Sequence, residues 1–453
     1  MTSTKANTKL RAAIERAGLS HEGLARRVVT VAAENGLERA YDHISVKRWL
    51  DGARPRGLVP QFIAVALSRK LGEQVTLADI GMDDVEDGLV FDPAYPDDAE
   101  QSVRATVVLA RADLAGTLTN GSPSVASDAW LDLMVRWLLA PEPGLLDPPA
   151  LAAGNPADAV RVTTDMLSQL DYRLGGGHAR RAVVAYFEST VAPMLRETSW
   201  DSAQGRDLLA ATSALLRLIA WTAYDTGLHC AAQRYFTHAL RLAQAAGDRA
   251  LGGRILAGMS HQANFLGHYQ HAANLARAAV RGAGGQATPT GMALFYSMEA
   301  RALASKGDER GCLAALCEAE RWFSRRMPED DPYWLRYFDE AELAAEHAHS
   351  FRELGMAELS GQHAERALAL HGAIYVRSSS FVRTVLAESH VARGELEQGL
   401  LLAGDVVETA ACGLRSARTI EYIRDFIRRL EPFGSEPLVR EFVETTAQRL
   451  HRA

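Results

Sequence analysis

Gly267-His268-Tyr269-Gln270-His271-Ala272 contains the pattern that decides the fold of most of this 453-residue chain. A glycine followed five positions later by a small residue recurs along the second half of the sequence. The glycines are Gly227, Gly267, Gly307, Gly355 and Gly394, and the small residues are Ala232, Ala272, Cys312, Ser360 and Gly399. Seven positions further stand Ala239, Ala279, Ala319, Ala367 and Val406. Because glycine ends a helix and small side chains let the next helix pack closely, the pattern predicts stacked helix pairs.

This repeat resembles the tetratricopeptide repeat, whose signature places glycine and alanine at these positions. The unit before residues 267–272 adds aromatic positions at Trp221, Tyr224 and Phe236. The same frame extends one unit earlier to Gly177, Ala182 and Ser189. The glycines are 40, 40, 48 and 39 residues apart, whereas the standard repeat has about 34 residues. The resemblance implies an α-solenoid with longer helices or loops, and sustained strand patterns are nearly absent.

A second informative stretch, residues 42–55 (DHISVKRWLDGARP), predicts a short helix near the start of the chain. Val46 and Trp49 should face a core, whereas Lys47 and Arg48 remain for solvent or phosphate. The glycine and proline that follow end the helix. Upstream, Ser20 is an N-cap candidate for a helix that extends to about residue 34, where Asn-Gly ends it. Two such helices, the second with cations, are what a major-groove reader needs.

This head resembles the lambda-repressor-like helix-turn-helix family, often called Xre. The matching residues are Leu19-Ser20, Leu24-Ala25-Arg26-Arg27, Ser45-Val46-Lys47-Arg48-Trp49, Gly52 and Pro55. The resemblance implies that residues 1–82 are a helix-turn-helix domain that binds double-stranded DNA. The implied DNA-binding residues are Arg26, Arg27, His43, Ile44, Ser45, Lys47, Arg48, Arg54 and Arg56. Base contacts would fall on His43, Ile44 and Arg48, and phosphate contacts on Lys47, Arg54 and Arg56.

The head departs from that family in one respect, because the segment between Arg27 and Asp42 is longer than the family's tight turn. A head that has become a protein-interaction module is therefore the alternative to a DNA-binding head.

The charge of the chain is unevenly distributed. Residues 1–82 hold 13 Lys and Arg against 8 Asp and Glu, although the whole chain has a net charge of −7. A basic head on an acidic body suits a protein whose head alone meets a polyanion. Residues 83–102 form an acidic, proline-containing linker with no Lys or Arg. Such a run is typical of a solvated tether, and competition with DNA for the basic head is the alternative.

Residues 103–453 form the predicted helical repeat domain, in which the first helix of each pair lines an inner groove. The repeat frame therefore places candidate ligand-binding residues in that groove. These residues are Arg217, Trp221, Tyr224, Arg254, His261, Asn264, Arg301, Glu342, His349 and Arg352. Arginine and amide side chains suit the carboxylate and backbone of a peptide, and a small molecule or a protein partner is also open. The alternative is a solvated concave surface whose residues pair with one another.

Several classes of function lack support in the sequence. No run approaches the roughly 18 apolar residues of a membrane span, and residues 1–10 lack the apolar core of a signal peptide. The cysteines, Cys230, Cys312, Cys317 and Cys412, have no paired spacing, which favours buried side chains in a reducing cytoplasm. No catalytic motif, cofactor motif or metal-ligand set stands out. Residues 173–181 are glycine-rich but lack the P-loop Lys-Ser/Thr, which favours a flexible helix–helix turn.

The complete layout is similar to a group of actinobacterial regulators, the NsdA-like proteins. Residues 170–181 and 223–227 contribute to the resemblance in the body. The resemblance implies a cytoplasmic, dimeric transcriptional regulator that controls development, sporulation or secondary metabolism. A scaffold that binds a protein partner and never touches DNA is the alternative function, and an enzymatic function has no candidate site.

Overall fold

The computed structural model describes residues 6–34, 40–53, 55, 59–72, 75, 77, 79–82, 94–116, 118, 125–140, 155–283 and 285–452. Within these ranges every regular element is helical and no strand occurs, so the predicted all-α class is confirmed. The chain divides into two compact units. The first comprises residues 1–92 and 104–125, and the second comprises residues 93–103 and 126–453.

The first unit contains four short helices around one core. They are α1 (Thr8–Arg16), α2 (His21–Glu34), α3 (His43–Leu50) and α4 (Val59–Leu71). Leu10, Leu24, Val46, Trp49 and Ile63 are among the buried core residues. The predicted burial of the two apolar α3 residues is therefore confirmed. Helix α2 extends to Glu34 as predicted, and the Asn-Gly pair predicted to end it lies outside the described residues. The extra segment before α3 falls largely on residues 35–39, which lie outside the described residues.

Helix α5 (Ala99–Leu114) begins inside the segment predicted to be a tether. The hydroxyl of Tyr95 donates a hydrogen bond to Oε1 of Gln244 at 2.7 Å. Arg241 donates to the carbonyl oxygen of Asp97 at 2.9 Å. The end of the predicted 83–102 linker is therefore packed on the second unit, because it buries an aromatic ring there. Residues 83–93 lie outside the described part of the chain.

The second unit is an α-solenoid-like array of successive helices. Its helices are α6 (Ser127–Leu139), α7 (Pro156–Leu174), α8 (Gly176–Tyr186), α9 (Ala192–Glu197), α10 (Ala203–Asp225), α11 (His229–Ala246), α12 (Arg249–Phe265), α13 (Tyr269–Gly282), α14 (Pro289–Ser305), α15 (Glu309–Phe323), α16 (Glu340–Glu353), α17 (Ala357–Leu370), α18 (Val376–Ala392), α19 (Leu396–Ala411), α20 (Ala417–Arg429) and α21 (Pro437–Arg452). A π-helical turn, Phe187–Val191, joins α8 to α9. None of the described helices is long and apolar enough to cross a lipid bilayer.

The turn glycines behave as the sequence pattern predicts. The five glycines of the repeat frame, from Gly227 to Gly394, have left-handed φ angles between 72° and 84°. At the first of these turns, the N–H of Leu228 donates to the carbonyl oxygen of Ala223 at 2.9 Å, which ends α10. The small residues that follow, such as Ala232 and Ala272, are fully buried between helices. The predicted packing role of glycine and small residues is confirmed.

The extension of this frame to Gly177 is wrong. The left-handed glycine is Gly175, with a φ of 84°, and both Ala182 and Ser189 are exposed. The predicted helix–helix turn is present, but it is tightly packed: a Cβ atom on Gly175 would lie 2.6 Å from the carbonyl oxygen of Arg415. Contact with a distant segment, rather than the repeat frame, sets the position of this turn.

Contacts between the α7–α8 turn and the segment before α20 close the array. The N–H of Arg415 donates to the carbonyl oxygen of Leu174 at 2.9 Å, and the N–H of Gly177 donates to that of Arg415 at 2.9 Å. Helix α18 also packs against α7. The inner surface that the sequence predicted as a groove is therefore the wall of a partly enclosed cavity.

The prediction that all the cysteines are buried is wrong for two of them. Cys312 is buried and Cys230 half-buried, whereas Cys317 and Cys412 are exposed. Five residues along an α-helix rotate a side chain by about 140°. When Cys312 faces the core, Cys317 must therefore face away from it.

Candidate functional site

The first candidate surface is the outward face of α3. Asp42 caps this helix, because its carboxylate accepts the N–H of Ser45 at 2.8 Å, and this hydrogen bond lowers the pKa of Asp42. With Val46 and Trp49 buried beneath, the opposite face presents side chains at helical spacing. They are His43, Ile44, Lys47 and Arg48, all exposed. Among the described residues, neither of the two cations forms an ion pair.

The other predicted DNA contacts differ in their surroundings. Arg26 and Arg27 are exposed on α2. The hydroxyl of Ser45 donates to the Asp42 carboxylate at 2.8 Å, so this side chain serves the helix cap. Arg54 and Arg56 lie outside the described residues.

The second candidate site is a cavity of about 80 Å³ at the centre of the helical array. Its wall consists largely of the first helices of the pairs, as the repeat frame predicts. One frame position, six residues before the turn glycine, supplies Trp221, His261, Arg301 and His349. The structure thus brings together residues that are far apart in sequence but equivalent in the repeat.

Most of the sequence-predicted groove residues line this cavity. Those that do are Arg217, Trp221, Arg254, His261, Arg301, Glu342 and His349. The other three do not line it, and each contacts another side chain. The Tyr224 hydroxyl lies 2.9 Å from Nδ1 of His261, and the Asn264 amide donates to Ser305 at 3.0 Å. Arg352 pairs with Glu388 at 3.5 Å and with Glu353.

One side of the cavity is held by a buried ion-pair network that sequence reasoning missed. Arg377 forms two hydrogen bonds with the carboxylate of Asp171, at 2.7 and 2.8 Å, and a third with Asp225 at 3.2 Å. Arg418 pairs with Asp225 at 2.8 Å. Burial disfavours the charge on Asp225, but the two arginines outweigh it and lower the pKa of that carboxyl. The network joins α7 and α10 to α18 and α20.

Arg301 also has its charge matched. Its guanidinium donates to Glu346 at 3.0 Å and to the Tyr422 hydroxyl at 2.8 Å. Burial opposes the charge of Arg301, yet the neighbouring carboxylate raises its pKa. This arginine is therefore neutralised within the wall.

Arg217 and Arg254 differ from these three arginines. Each is 5% exposed, and neither has a hydrogen bond or ion pair within the described residues. The Nε atoms of both are buried without an acceptor. The guanidinium carbon of Arg254 lies 5.1 Å from the centroid of the Tyr337 ring. Burial and then the charge of Arg254 lower the pKa of Arg217, so the two cations repel each other.

The remaining titratable groups leave the cavity positively charged. Burial, and then nearby arginines, hold the pKa of His261 and His349 well below the ordinary value, so both are neutral at pH 7. Burial and the charge of Glu346 raise the pKa of Glu342 to about 7. Five arginines thus face the carboxylates of Asp171, Asp225 and Glu346, which leaves an excess of two positive charges when Glu342 is protonated.

Comparison with known proteins adds one finding. Residues 10–83 match the family model of the SP15 N-terminal domain, so the four-helix head is similar to that domain. No curated protein matches the chain.

Proposed function

We propose that this chain is a DNA-binding transcriptional regulator whose helical-repeat unit senses a ligand or partner. The observation that carries the proposal is the outward face of α3. That face presents His43, Ile44, Lys47 and Arg48 from a capped helix whose other face is buried. An exposed, cationic helix on a compact helical head is the element that a helix-turn-helix protein inserts into the major groove.

Each side chain of this face has a distinct expected role. We expect Arg48 to bind a guanine through two hydrogen bonds and Lys47 to pair with a phosphate. Arg26 and Arg27 on α2 add phosphate contacts. A single small head offers limited contact with DNA, so we propose that the protein is a homodimer whose two heads bind two half-sites. The proposed location is the cytoplasm.

The role of the helical-repeat unit in this proposal is sensing. Its cavity has unpaired cations, and a peptide, small molecule or protein partner bound there would favour one arrangement of the protein over another. A ligand shifts such an equilibrium only through different affinities for the two arrangements. The regulated processes that the family resemblance suggests are development, sporulation and secondary metabolism.

The test of DNA binding is an electrophoretic mobility shift with genomic fragments at several salt concentrations. Arg48→Ala should weaken specific binding by about 1–3 kcal/mol. Lys47→Ala should weaken binding to all sequences and reduce its salt dependence. Lys70→Ala, which removes an exposed cation of α4, is the matched control. If the wild-type chain binds no DNA at low salt, the proposal fails.

A second candidate function is a protein-interaction scaffold. The observation that favours it is Ile44, which is 52% exposed in the first turn of α3. An apolar group at that place also suits a protein partner. Under this alternative, Ile44→Ala abolishes partner binding while DNA binding is absent in the wild type.

A further inference from the structure

We infer that the central cavity binds a compact organic dianion, anchored by Arg217 and Arg254. This inference deepens the proposed sensing role of the helical-repeat unit and rests on it. It narrows the candidate ligands from a peptide, small molecule or protein partner to one chemical class.

The first argument is the unmatched charge of the two anchors. A buried cation without a partner is costly, and arginine cannot escape that cost by losing its proton. Arg301, Arg377 and Arg418 in the same wall all have carboxylate partners. Arg217 and Arg254 have none among the described residues, although each is 5% exposed. A bound anion supplies the missing partner.

The second argument is the number of charges. Arg217 and Arg254 repel each other, and with Glu342 protonated the wall carries an excess of two positive charges. A monoanion would neutralise only one of them. A dianion matches the excess and gives both guanidinium groups a charge-assisted hydrogen bond.

The third argument is the shape and lining of the cavity. A cavity of about 80 Å³ holds about six water molecules, which favours a compact ligand over an extended peptide. Tyr172, Trp221 and Tyr337 line the cavity and are half-buried, so they offer flat apolar surfaces beside the cations. The ligand therefore combines two negative charges with a small unsaturated or aromatic skeleton.

Phosphate monoesters and dicarboxylates share this chemistry, so the experiment includes both. Full-length protein is titrated by calorimetry with phenyl phosphate, phthalate and inorganic sulfate, and with benzoate as the monoanion. At least one dianion should bind and raise the unfolding temperature, and benzoate should bind at least about tenfold more weakly, because it leaves one cation unpaired. The stronger of phenyl phosphate and phthalate identifies the source of the charge.

Variants assign the binding to the two anchors. Arg217→Gln and Arg254→Gln should each weaken dianion binding by at least about tenfold. Arg281→Gln removes an exposed arginine of α13 and should leave binding unchanged. Thermal unfolding of each variant without ligand shows whether it is folded. Equal binding by wild type and both anchor variants overturns the inference, as does the failure of all three dianions to bind at millimolar concentration.

The two proposals fail in different ways. If the dianions do not bind but the chain shifts operator DNA, the ligand class is wrong and the DNA-binding regulator stands. If a dianion binds and Arg217→Gln abolishes that binding, the site stands even where DNA affinity is unchanged, and the sensing role fails.

Discussion

The cavity wall contains two kinds of buried arginine, and they do different things. Arg377 and Arg418 are 4% and 3% exposed and bind buried carboxylates. Arg217 and Arg254 are equally buried and have no such partner in the described part of the chain. The first kind joins distant helices of the array, whereas the second kind is the one that we propose binds an anion. Burial is the same for both kinds, so the presence of an acidic partner is what distinguishes them.

The largest loss of stability should follow from substituting an arginine that pairs with a buried carboxylate. Arg377→Gln leaves Asp171 and one oxygen of Asp225 buried without their main cation, and an uncompensated buried charge costs about 3–5 kcal/mol of unfolding free energy. Chemical denaturation measures this loss. The control, Arg424→Gln, removes an exposed pair with Glu421 and should cost about 0–1 kcal/mol. A loss for Arg377→Gln as small as that of the control would contradict the structural role.

Substituting the two arginines without an acidic partner should change stability in the opposite direction. Arg217→Gln and Arg254→Gln remove unpaired buried charges, so each should stabilise the ligand-free protein by about 1 kcal/mol. The same denaturation experiment without added anions measures the change. Destabilisation by several kcal/mol in both variants would place these residues with Arg377 and remove the distinction.

The smallest effect is the change of stability and anion affinity with pH. The pKa of Glu342 is raised to about 7 by burial, by Glu346 and by Asp339, against the opposing hydrogen bond from Ser378 and the charge of Arg377. Because its folded-state pKa lies above its unfolded value, its contribution to stability is present at low pH and is lost as pH rises towards 7. Ionised Glu342 also repels an anion, so sulfate affinity should fall several-fold between about pH 6 and pH 8.

Sulfate keeps its charge throughout this range, and the pKa values of the two cavity histidines lie well below it. The control variant is Glu342→Gln, in which the fall in affinity should disappear. An unchanged pH profile in that variant would assign the effect to another group.

Much of the cavity could be predicted from the repeat frame, and its charge balance could not. Trp221, His261, Arg301 and His349 share one position of the repeat, so helical periodicity places all four on the inner surface. The partners of the structural arginines are different. Arg377 and Asp171 are 206 residues apart, and Arg418 and Asp225 are 193 apart. No local spacing indicates which acid neutralises which arginine.

The turn between α7 and α8 also could not be predicted from the local sequence pattern. Its turn glycine is Gly175 rather than Gly177, because Arg415 packs against that turn from the far end of the unit. Similarly, the segment predicted to be a solvated tether contains Tyr95, whose ring is buried and whose hydroxyl donates to Gln244 of α11. In both places a long-range contact overrides the local pattern.

The sequence by itself determined the all-helical class, the turn glycines with their small packing partners, and the buried and exposed faces of α3. These features depend on backbone conformation and helical period, which neighbouring residues set. Only the tertiary structure decided that the array closes on itself, that Arg377 and Arg418 are neutralised, and that Arg217 and Arg254 are not. Charge pairing depends on distances in space. In this protein, the arginines Arg377 and Arg418 pair with acids that are about 200 residues away in sequence.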